Sequence, residues 1–88
     1  MGILIRHNGQ TQHVEPRNGS HFGLREMQEY LGPHIQVARV GDRWMALAES
    51  ADQDGLTVNS RATMLARQHG VADVIFGDVL LLEPTEFS

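Results

Sequence analysis

The dipeptide Asn8-Gly9 sits between two short runs, Ile3 to His7 and Gln10 to Glu15. It readily supplies the two positive φ angles of a type I′ turn, so it predicts an antiparallel hairpin over residues 3 to 15. A two-residue loop would pair His7 with Gln10, Ile5 with Gln12 and Ile3 with Val14. That register puts Ile3, Ile5 and Val14 on one face, with Leu4, Arg6 and His13 on the other.

Turn and cap residues divide the rest of the chain. Pro16 to Ser20 reads as a loop, with Ser20 as N-cap of a helix whose apolar positions Leu24, Met27, Tyr30 and Leu31 recur at helical spacing from Phe22 onward. Gly32-Pro33 ends that helix. His34 to Val40 and Arg43 to Glu49 form a second hairpin around Gly41-Asp42. Its two faces, Ile35, Val37, Arg39, Trp44, Ala46 and Ala48 against Ala38, Val40, Met45 and Leu47, both carry apolar groups, so it is expected to be central, either covered on both sides or at the heart of a curled sheet. Glu49 to Gly55 is acidic and rich in small residues, which predicts a surface loop. Asn59 caps a second helix over Ser60 to His69, with Ala62, Leu65 and Ala66 facing inward and Gly70 marking its end. Asp73 to Glu83 is an apolar run interrupted by Gly77-Asp78, the pattern of a buried strand with a bulge, and Pro84 stops it.

The order β-β-α-β-β-α-β predicts an α+β fold with a mainly antiparallel, curled or barrel-like five-stranded sheet and two helices. At 88 residues the chain is one domain, 1–88.

Composition narrows the chemistry. All seven basic residues are arginine, and neither lysine nor cysteine occurs. A Schiff base, a Walker-type lysine, a disulfide, a thiolate zinc site and a thiol nucleophile are thereby excluded. The net charge of -4 argues against general nucleic-acid binding, which depends on a basic surface. The first residues are too short an apolar run for a signal peptide, and no stretch approaches the roughly 20 apolar residues of a membrane span, so the expected location is cytoplasmic and off the membrane.

Five histidines raise the question of a metal, but no pair has the spacing that aims two imidazoles at one ion. No metal and no cofactor are expected. The acids are scattered and neither a nucleophile motif nor a phosphate loop is present, so no catalytic residue is assigned and an enzyme is not expected. Two groups remain. Asn59, Ser60 and Arg61 at a helix start, with Asp78 in the last strand, form a candidate site for a nucleotide or other anion, set against the ordinary roles of cap and bulge. Arg39 and Trp44 lie opposite each other in the simplest register of the second hairpin, a stacked pair suited to protein binding, set against core packing of Trp44.

The segments Leu31 to Arg39, Asn59-Ser60-Arg61-Ala62-Thr63 and Asp73 to Leu81 together resemble the domain of unknown function 3846, over about residues 20 to 83. The most specific parts are Asn59 with Ala62, and the closing strand Ile75 to Val79. Members of that family commonly have a glycine where this chain has Pro33, and a glycine-bearing acidic segment at Asp52 to Gly55. The resemblance implies a small accessory protein of a phage or other mobile element, with no activity to transfer. The expectation is a non-enzymatic protein that binds a host or defence protein, with nucleotide or anion binding as the alternative. An open edge of the first hairpin also offers a route to a homodimer.

Overall fold

A computed structural model describes residues 2–49 and 55–86. Strands β1 (Gly2–Ile5), β2 (Thr11–Val14), β3 (Ile35–Val40), β4 (Arg43–Ala48) and β5 (Val79–Leu82) form one sheet in the order β2-β1-β5-β4-β3. Every neighbouring pair is antiparallel. Helix α1 (Leu24–Leu31) joins the two hairpins and α2 (Ser60–Gln68) leads back to β5, which inserts between β1 and β4. The fold is the expected α+β class. The predicted acidic loop lies mostly outside the described residues.

The sheet is open, with β2 and β3 at its two edges, which corrects the barrel-like form. Its apolar residues point to both faces, and a separate layer covers each, so no closure is needed to bury them. On one face Phe22, Met27 and half-buried Leu31 pack over Leu4, Val14, Ala46, Leu80 and Leu82. On the other, Ala62 and Ala66 of α2 lie against Ile5, Met45, Leu47, Val79 and Leu81. β5 is buried along its whole length, as a strand with neighbours on both edges and layers on both faces must be.

The first hairpin departs from expectation by one residue. Ile5 pairs with Thr11 and Ile3 with His13, so Val14 joins Leu4 on the α1 face while Ile3 and Ile5 face α2. The loop has three residues: Gly9 N–H donates to Arg6 O (2.9 Å), Arg6 N–H donates to Gln10 O (2.8 Å), and Gly9 alone takes a positive φ, +93°. This is a type I turn closed by a left-handed glycine, with the Asn8 side chain accepting from Gln10 N–H at 3.0 Å. The second hairpin has the expected register, Arg39 opposite Trp44 and Val40 opposite Arg43, with Gly41 (φ +64°) as the single left-handed loop residue.

Helix α1 starts at Leu24, with Gly23 as an N-cap that makes no side-chain bond. Ser20 does not cap it, because Asn18 Oδ1 accepts from the Ser20 and His21 amides in a local turn instead. Phe22 lies before the helix and fills the core as a wholly buried plug. The predicted strand from Asp73 shrinks to Val79–Leu82, preceded by a single bridge between Phe76 and Val58. Gly77, at φ +75°, breaks the ladder between them.

Candidate functional site

Asn59 begins the second helix as predicted, with Ala62 N–H donating to its Oδ1 at 3.0 Å. The residue is also wholly buried, and its Nδ2 donates to Ile5 O and Gly77 O, each at 2.9 Å. Its backbone N–H donates to Ile75 O at 2.7 Å. One side chain thus ties together the end of β1, the start of α2 and the break before β5. Thr63 extends the junction by donating from Oγ1 to Asn59 O (2.8 Å) and accepting from Ile75 N–H (2.9 Å). Every polar atom of the Asn59 amide is engaged inside the protein, and none faces a space a ligand could enter.

The other members of the predicted anion site separate. Ser60 and Arg61 are exposed beside the α2 face of the first hairpin, and Asp78 lines a hollow with His7, Tyr30 and Thr57. Asn59 holds Gly77 O from a buried position, whereas the Asp78 side chain is partly exposed. Its Oδ1 accepts from His7 N–H at 2.9 Å and contacts His7 Nδ1 at 3.0 Å, while Oδ2 lies 3.6 Å from an Arg6 guanidinium nitrogen. With its side chain one-quarter exposed, Asp78 works as a latch that fastens the β1-β2 loop to the start of β5.

The contribution of Thr63 was readable in principle, since it lies one helical turn after the cap on the buried side. The pairing of His7 with Asp78 was not. Those residues are 71 positions apart, and nothing local to either announces the other.

Arg39 and Trp44 do come together. The Arg39 guanidinium carbon lies 5.4 Å from the centre of the Trp44 ring, and Arg39 Nε donates to Gly41 O at 3.2 Å, which holds it over the ring. Trp44 is half-buried against the α1-side core, so packing and presentation coexist. β3, which carries Arg39, is an edge of the sheet, so the second hairpin is not central as expected; its apolar groups on both faces are covered by the layers above and below instead. Glu49 N–H donates to His34 O at 2.9 Å, which fixes the alternation of the ladder. Gln36, Ala38 and Val40 direct their backbone groups to β4, whereas Ile35, Val37 and Arg39 direct theirs outward. Neither proline nor glycine interrupts that edge.

Among the described residues no cluster of three or more histidines, aspartates or glutamates could hold a metal ion. No protein-family model, curated protein or solved structure matches the chain.

Proposed function

We propose that this chain is a small non-enzymatic accessory protein that acts by binding another protein. The observation that carries this reading is the open β3 edge with the Arg39-Trp44 stack at its end. An extended segment of a partner can add to the sheet there, bonding to the outward N–H and C=O groups of Ile35, Val37 and Arg39. The stacked arginine and tryptophan, residue types enriched at binding hot spots, then lie under the partner's side chains.

The setting in a phage or other mobile element, and a host or defence protein as target, belong to the same proposal and rest on the family resemblance. A cytoplasmic location is part of the same proposal, and the lack of any membrane-spanning helix among the described residues agrees with it.

The test is affinity capture from the source lysate with the full chain, its Arg39→Glu variant and its Val37→Pro variant. Val37→Pro removes an outward N–H while leaving the β4 ladder intact. A stoichiometric partner retained by the parent and lost from both variants, with circular dichroism showing them folded, is the expected result. Recovery of no stoichiometric protein, or a partner indifferent to both changes, overturns it.

A further inference from the structure

The two faces of the sheet are covered unequally. On the α1 side β1 and the end of β2 are sealed, with Leu4 and Val14 buried near Phe22. On the α2 side the inward residues of the nine-residue helix are Ala62, Thr63 and Ala66, and its two alanines pack with residues of β4 and β5 and with Ile5 at the end of β1. The first hairpin is left with Ile3 only partly buried and Thr11 and His13 exposed. Between helix and hairpin runs a groove of about 700 Å³. Ile3, Ile5, Leu65 and Leu81 form its apolar floor, and Met64, 62% exposed, stands on its wall.

The charge of this groove is opposite to that of the protein. Its ionisable lining among the described residues is His13, Arg43 and Arg61, with no acid, in a chain of net charge -4. Arg43 is held by Glu83 at 3.3 Å, whereas Arg61 has no ion-pair partner among the described residues. Ser60, Gln68 and Thr11 add hydrogen-bonding groups along the groove. A hydrocarbon tail would leave those groups dry and unpaired, at a cost of about 1–3 kcal/mol each, while a peptide backbone can bond to them.

We propose that this groove is a second binding surface, and that its occupant is an acidic peptide segment of another protein carrying bulky apolar side chains. The apolar residues sit on the Ile3-Leu81 floor and the acid meets Arg61 at the rim. The surface lies toward the β2 margin of the sheet, away from the β3 edge, so the two readings stand or fall separately.

A random peptide library displayed against the intact protein tests the idea. Enriched peptides are expected to carry an acid within a few residues of bulky apolar side chains, and to shift amide resonances of Ile3, Thr11 and Ser60 to Leu65. Arg61→Glu should weaken them at least tenfold. Arg67→Glu makes the same charge change on the same helix outside the groove, and should leave affinity within about twofold. No enrichment over background, enriched peptides without acids, equal losses in the two variants, or resonance shifts produced by decanoate in place of peptide would each overturn the proposal.

Discussion

Replacing Asn59 by aspartate separates two roles that the native side chain combines. Asparagine and aspartate are about equal as N-caps, so a residue that only capped α2 would accept the change at little cost. Here the same side chain also donates to two backbone carbonyls, Ile5 O and Gly77 O, from a wholly buried position. Aspartate turns that donor into an acceptor facing two acceptors. Each unpaired carbonyl costs about 1–3 kcal/mol, and a carboxyl group buried against them adds to this, so the expected loss is about 4 kcal/mol or more. A chain of this size has roughly 4–13 kcal/mol in total. Urea denaturation followed by Trp44 fluorescence and far-ultraviolet circular dichroism reads the difference. Asn59→Ala, which loses the cap as well but introduces no charge, should cost about 3–6 kcal/mol. A midpoint for Asn59→Asp within about 1 kcal/mol of the parent would refute the junction and leave only the cap.

Further substitutions test the loops. Gly41→Ala combines a left-handed backbone, φ +64°, with a new Cβ 2.7 Å from His69 Nδ1, and should cost about 2–3 kcal/mol by urea midpoint. Adding His69→Ala should return the contact part and leave about 1–2 kcal/mol of backbone strain, the two effects separable in a double-mutant cycle. Asp78→Ala should cost only about 1 kcal/mol, because the carboxylate is partly solvated, yet it should speed hydrogen exchange at the His7 amide at least tenfold, with Asp78→Asn close to the parent.

What could be read from the sequence follows from how local each determinant is. The register of the second hairpin is legible, because a two-residue loop with one left-handed glycine leaves a single pairing in which Trp44 meets Arg39, whereas its place at the edge is not, because apolar groups on both faces read as a central pair. The first carries the stronger turn signal, yet its register lies one residue from that of a two-residue loop. Asn-Gly also suits a type I turn closed by a left-handed glycine, and here Asp78, from the far end of the chain, accepts the His7 amide inside that loop. That one-residue shift exchanges the faces of β2 alone and moves Val14 to the α1 core. The α1 start was misplaced because Asn18 offered the backbone a local turn that competed with capping by Ser20. Of the candidate sites, the Arg39-Trp44 pair was visible because cross-strand register alone makes it. The groove was not, since it depends on how little of the sheet α2 covers.

The central place of β5 also governs how the protein must be made. β1 and β4 touch no common strand until the last one arrives between them, so each hairpin can zip early while the sheet itself waits for the most distant part of the chain. Such remote pairing requires the entropy of a long loop to be lost before the core rewards it, which places folding toward the millisecond-to-second range typical of non-local topologies. During that interval the inward edges of both hairpins are bare. A nascent chain emerging from the ribosome therefore passes through a stage with four unprotected strand margins, which the closing strand reduces to two.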